Sequence, residues 1–421
     1  MTQRPRAARR AVVTGVVASI ATALAIVTST ACTSETPAPT VTYAPYDGVA
    51  YPATRSPVAV PEGGAFLVTD SRSDTLSFVG VASGDRFATL PVGRDPVTID
   101  GPHHAALDRA GGFLYVALSY PSISGATGPH AAHASSIVPG WVQKLSLPTF
   151  RPVGQTRVDA NPGDIVVSED GKRVVVSHFD LPRALTFTKD PEGAKATLAV
   201  IDPTTMPATG SGPSTKIPTC LAPHGVVLSK PDGAKAFVAC YGEDAIAVVD
   251  LADPAHAVER IAVDGSTFRG TVSYGPYALV LSPDGTTLAV SSTESKDVRF
   301  FDVASRTFDA SRTLKTEGAP YFTWWSEDGK ELFVPTQTPD ALLRVDTTDK
   351  NRVVASARFD ARCGKPHVVT TDATRAFVVC EGNYVDPGTL VVLDRTTLAV
   401  TKATPLGVYP DSITLLTGGA P

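Results

Sequence analysis

Along most of the chain, short apolar stretches alternate with turn-forming residues too quickly for helices to fit. A proline opens a short apolar stretch. A turn of the Asp-Gly type follows, and then a stretch rich in β-branched and aromatic residues. Examples are PHGVVLSKPDGAKAFVAC (223–240), PYALVLSPDGTTLAV (276–290) and PYFTWWSEDGKELFV (320–334). The glycines of Asp170-Gly171, Asp232-Gly233, Asp284-Gly285 and Asp328-Gly329 supply the positive φ that tight hairpins demand. PHVVTTDATRAFVVC (366–380) keeps the pattern without the glycine. A third stretch ends in Asp202, Asp250, Asp302, Asp346 or Asp394, where a carboxylate can cap the next turn. A fourth closes each unit.

The opening prolines are Pro57, Pro102, Pro162, Pro223, Pro276, Pro320, Pro366 and Pro410, spaced by 45, 60, 61, 53, 44, 46 and 44 residues. Eight markers bound seven units. Four antiparallel strands at such a period predict an all-β, single seven-bladed β-propeller over residues 53–416, with eight blades as the alternative count. The choice turns on PDSITLL (410–416), which either completes the first blade beside residues 65–92 or begins an eighth.

The first ten residues carry Arg4, Arg6, Arg9 and Arg10 and no acid, and an apolar run leads from there to Thr28-Ser29-Thr30-Ala31-Cys32. This pattern predicts an export signal over 1–31. It resembles a bacterial lipoprotein signal, which implies lipidation of Cys32, although Ser29 stands where leucine is usual. Residues 32–52, rich in Pro and Thr, read as a tether, and 417–421 as a tail. Loss of the leader moves the net charge from −5 to −9, which argues against nucleic acid as a partner. The expected location is therefore periplasmic or cell-surface, with the membrane reached only through a lipid anchor and the chain monomeric. The four remaining cysteines lie in an oxidising compartment on this reading. Cys220 and Cys363 lie four residues before His224 and His367, and Cys240 and Cys380 end the strands that follow. Antiparallel neighbours thus bring each pair close, and two disulfides, Cys220–Cys240 and Cys363–Cys380, are predicted, each locking the first hairpin of its blade.

The repeats resemble the YVTN-type propeller family, the YncE-like proteins of bacterial surfaces and periplasms, over residues 57–416. The resemblance implies the fold and leaves activity open, because such rings host unrelated functions.

In an up-and-down blade, the start of the inner strand and the end of the second strand share one face. Seven of the eight histidines fall there: His103, His104, His224 and His367 just after opening prolines, His178 at a second-strand end, and His130 and His133 in a long insert. Tyr277 and Tyr321 occupy the same post-proline position. Two readings compete. Imidazoles tie strand ends together around the channel mouth, or they bind copper or another transition metal, since neutral imidazole is the commonest metal ligand. The cluster loosely resembles the copper-cluster propeller of nitrous oxide reductase. His224 and His367 are expected three blades apart, so one ion reaches both only if the mouth is narrow.

No GxSxG elbow, HExxH, phosphate loop or CxxCH occurs, and no carboxylate pair is marked for acid–base work. The expected function is a cell-envelope binding protein whose His- and Tyr-rich face, formed by His103, His104, His178, His224, His367, Tyr277 and Tyr321, meets a small ligand, an ion or a partner protein. The alternatives are a copper-type redox protein using the histidines, and a propeller hydrolase such as a lactonase.

Overall fold

A computed structural model describes residues 55–121 and 136–417. The expected leader and tether, Cys32, His130 and His133 lie outside the described residues. Seven antiparallel sheets follow one another along the chain. The inner strands of blades II to V and VII are Pro102–Asp108, Pro162–Val167, Pro223–Leu228, Pro276–Leu281 and Pro366–Thr371; that of blade VI is split into Ala319–Pro320 and Trp324–Trp325. Three further strands follow each in chain order. Among the described residues the only α-helix is the single turn Leu181–Ala184, capped by Asp180.

Blade I is the exception in chain order. Its inner strand is Pro410–Leu416, paired antiparallel with Ala65–Asp70 from Ala65↔Leu416 to Asp70↔Pro410. The count is therefore seven, not eight. Pro57, expected to open the first inner strand, does not do so, because residues 55–61 form no strand and the chain's last strand takes that place. Inner strands touch their neighbours around the circle, and Pro410–Leu416 packs against both Pro102–Asp108 and Pro366–Thr371.

The turns follow the chemistry of their residues. Gly171, Gly233, Gly285 and Gly329 have φ of 68°, 59°, 76° and 69°. The carboxylates of Asp202, Asp250, Asp302, Asp346 and Asp394 each accept backbone N–H groups two or three residues on. Each sheet buries apolar side chains on both faces, so the core lies between blades. Val175, Leu198 and Ile217 of blade III pack with Val226, Val238 and Val249 of blade IV, and Phe66 and Val68 of blade I with Phe377 and Val379 of blade VII. No blade can bury these faces alone.

Both disulfides are present, Cys220–Cys240 and Cys363–Cys380. Each spans the first hairpin of its blade, as expected. Cys220 also ends the outer strand Thr215–Cys220 of blade III while Cys240 ends the second strand of blade IV, so this bond joins neighbouring blades as well. Cys363 lies in the connection from blade VI to the inner strand of blade VII, and Cys380 ends that blade's second strand. A covalent link at a blade interface opposes separation of the ring. Closing loops with sequence separations of 20 and 17 residues is worth about 3 kcal/mol each on a chain-entropy estimate. Cys220→Ser with Cys240→Ser is expected to lower the unfolding free energy by about that amount in urea titration. An unchanged midpoint would show that the interface holds without the bond.

Candidate functional site

The residue after each opening proline stands at the ring axis. Blade by blade from I to VII these are Asp411, His103, Gly163, His224, Tyr277, Tyr321 and His367. Consecutive side chains touch around the circle. Asp411 Oδ2 lies 3.1 Å from His103 Nε2. The His103 and His224 rings are 5.9 Å apart across Gly163. His224 stacks on Tyr277 at 3.9 Å, Tyr277 meets Tyr321 at 5.2 Å, and Tyr321 meets His367 at 5.4 Å. His367 Nδ1 then returns to Asp411 Oδ1 at 3.1 Å. Space at the blade III position is tight, because a Cβ on Gly163 would stand 3.2 Å from the His224 ring and 3.3 Å from Phe179. Two rings fill the middle: His104 and Phe322, 4.9 Å apart.

His103 and His104 are consecutive, and on a regular strand they would point to opposite faces. A β-bulge prevents this. Pro102 pairs with Leu118 and Ala105 with Val116, so three steps on the inner strand match two on its neighbour. The extra residue re-aims one side chain, and the two imidazoles stack at 4.3 Å.

Each imidazole is oriented from the adjacent blade. His103 Nδ1 is 3.1 Å from the carbonyl oxygen of Pro162, to which it donates. His104 Nδ1 is 2.7 Å from Asp164 Oδ1, and the other Asp164 oxygen accepts the Val226 N–H at 3.0 Å. His104 Nε2, on the far side of a ring 6% exposed, is buried without a hydrogen-bond partner. Imidazole thus ties strand ends together, as the structural reading expects, through Nδ1. The opposite ring edges of His103 and His104 remain turned to the axis.

The acids that complete the cluster, Asp411 and Glu381, are not among the residues expected from the sequence. Asp411 is fully buried and accepts the Ser71 hydroxyl at 3.0 Å. Glu381, directly after Cys380 at a second-strand end, is 1% exposed, lies 3.5 Å from His367 Nδ1, and accepts the Tyr384 hydroxyl at 2.7 Å. Burial raises the Glu381 carboxyl, with His367 pulling the other way. Burial works against a charged His367, yet Glu381 and Asp411 outweigh it and hold that ring above the ordinary imidazole value. At the axis, two groups of side chains have donor atoms within 4.8 Å of one another: His103, His104 and Asp411, and His367, Glu381 and Asp411. Asp411 is common to both. The signal for it was available, since Asp411 follows Pro410 as His103 follows Pro102.

His178 is not among these rings. Its Nδ1 donates to Thr197 O at 2.7 Å and its Nε2 accepts the Asp159 N–H at 3.1 Å, so both nitrogens are used inside blade III. His256 is also elsewhere, with Nδ1 3.3 Å from Asp250 O. His224 and Tyr277 sit on the axis as a stacked pair, on the opposite arc from Asp411.

Burial holds His178 neutral and pulls its pKa down to about 4. A depressed imidazole gives stability that is fully present above its unfolded value of about 6.5 and lost as pH falls towards 4. The loss is roughly 3 kcal/mol at 1.4 kcal/mol per unit. His178→Gln is expected to remove that part of the acid dependence between pH 6.5 and 4 in urea titrations. Equal slopes in both proteins would contradict a neutral, structural His178.

No protein-family model matches the chain, and no curated protein does. Solved structures do, at low identity. The periplasmic gluconolactonase of Pseudomonas aeruginosa superposes with a TM-score of 0.60 at 16% identity, covering 84% of this chain and 99% of that one. A putative 6-phosphogluconolactonase from Bacteroides uniformis gives 0.60 at 13%, covering 84% and 99%. A dihydro-heme d1 dehydrogenase gives 0.52 at 17%, covering 88% and 79%. Likeness at these identities is a likeness of fold, and the chain shares the β-propeller with all three.

Proposed function

We propose that this chain is a propeller hydrolase acting on a lactone or a related ester, with the axial His–carboxylate cluster as its reaction centre. The observation that carries the reading is the Asp164–His104 pair: a buried imidazole oriented through Nδ1 by a carboxylate, its Nε2 without a hydrogen-bond partner, in a ring packed among His103, His224 and His367. Such a centre holds a water and takes up its proton. The water oxygen bonds to the carbonyl carbon, the ring C–O bond breaks, and the proton passes to the leaving alkoxide, giving an open hydroxy acid. Buried imidazole N–H groups nearby can stabilise the oxyanion formed on the way.

Support also comes from the named activities of two neighbours, a gluconolactonase and a putative 6-phosphogluconolactonase. The binding-protein reading explains a crowded mouth equally well, but not the concentration of acids and bases in it. Export fits the same picture: the two disulfides suit an oxidising compartment, the leader ending at Cys32 suits lipid anchoring, and one neighbour is periplasmic.

The test is turnover of glucono-1,5-lactone and a panel of other γ- and δ-lactones, followed by acid release. Hydrolysis above the spontaneous rate is expected, with a fall of about 100-fold or more in His104→Ala. A flat response across the panel from folded, disulfide-bonded protein would remove the reading.

A further inference from the structure

We propose that the propeller axis holds a divalent transition-metal ion bound by the Nε2 atoms of His103 and His104 and the carboxylate of Asp411. The inference deepens the hydrolase reading, but the ion's presence can be measured without it.

The donor set is drawn from residues brought together by three separate devices: the proline-marked start of blade II, the bulge that turns two successive imidazoles to one side, and the final strand that carries Asp411 into blade I. His103 Nε2 and Asp411 Oδ2 are 3.1 Å apart. Ligand atoms about 2.1 Å from a metal stand roughly 3.0–3.4 Å apart for octahedral or tetrahedral angles, so this edge already has the required length. One ring nitrogen of His103, one of His104 and a carboxylate oxygen of Asp411 lie within 4.8 Å of one another.

Both imidazoles also have the supporting contacts that metal-bound histidines usually show. One Nδ1 donates to a backbone carbonyl and the other to a carboxylate, which fixes the tautomer and directs Nε2 inward. His104 supplies a second, independent observation, because its Nε2 is buried in this cluster without a hydrogen-bond partner. A buried imidazole nitrogen in that state lacks the partner that a metal ion would supply.

Asp411 faces His103 through one carboxylate oxygen and His367 through the other, and Glu381 lies 3.5 Å from the same His367 nitrogen. Two imidazoles and one carboxylate with positions left open suit zinc, iron(II), manganese or cobalt better than copper(I), which prefers sulfur. A bound water on such an ion is acidified towards neutral pH, which supplies the nucleophile that lactone opening needs.

The experiment measures metal in the purified full chain by mass spectrometry, then titrates the chelator-treated protein with Co2+ and records its visible d–d bands. About one equivalent per chain and cobalt bands saturating at the same ratio are expected. His104→Gln should lose both. Asp164→Asn, which leaves all three ligands in place, should weaken cobalt affinity roughly 10- to 100-fold. His178→Gln should change nothing. Should His104→Gln fail to fold, Asp164→Asn carries the test alone. Protein that purifies without metal and shows no cobalt bands overturns the proposal, as does metal held equally by wild type, His104→Gln and Asp164→Asn. Bound metal without lactone turnover sinks the hydrolase reading only. Lactone turnover by metal-free protein sinks the ion only.

Discussion

The constraint on which everything else rests is closure of the ring by its last strand. Blade I has three strands of its own, Ala65–Asp70, Thr75–Gly80 and Arg86–Pro91, and an inner edge that only Pro410–Leu416 fills. Without that strand two blade interfaces would expose apolar faces, and an unpaired inner edge would run along the channel. The same strand delivers Asp411. The Ser71 hydroxyl that bonds its carboxylate is 340 residues away in sequence, so fold completion and site assembly are one event. Loop closure over such a length costs little more than over a shorter one, because its entropy grows only with the logarithm of loop length.

Closure converts a one-dimensional repeat into a circle, and a single repeat position becomes a set of side chains in mutual contact. The position after proline suits this role because proline fixes the entry of the inner strand. The bulge that follows in several blades turns neighbouring residues inward, seen as register shifts at Pro102/Ala105, Pro162/Ile165, Pro223/Val226, Pro276/Ala278 and Pro366/Val368. What evolves independently at seven sites can therefore be composed into one centre. The composition is uneven: the acid and its imidazole partners lie on one arc, from His367 through Asp411 to His103, and the His224–Tyr277 stack on the other.

Fold and ring position were legible because both repeat. Asp-Gly turns, strand-ending aspartates and opening prolines recur often enough to outvote any one irregular unit. The failures fall where repetition stops. Pro57 imitates an opening proline, yet the inner strand of its blade comes from the other end of the chain, which no local pattern can reveal. The disulfide Cys220–Cys240 was readable as a pair, but its span between blades depended on where an outer strand ends. Asp411 and Glu381 were passed over because acids in this chain mostly cap turns, as Asp202 and Asp394 do. Only the circular arrangement separates an aspartate after proline from an aspartate in a turn. His178 shows the opposite error, since a position on the correct face did not bring its ring to the axis.

The structural and chemical readings of the histidines stop competing once they are assigned to atoms. Nδ1 of His103 and of His104 serves the fold, bonding the adjacent blade. The opposite edge of each ring meets the axial acids or the centre of the channel. A histidine whose sole purpose was to join strands would have both nitrogens satisfied by backbone, and His178 is that case. His104 instead spends a carboxylate on one nitrogen and leaves the other buried and unbonded, an arrangement that costs stability unless something else occupies the site. The seven-bladed ring holds that cost in place because His104 cannot turn away: Asp164 holds one edge and the His103 ring stacks on its face.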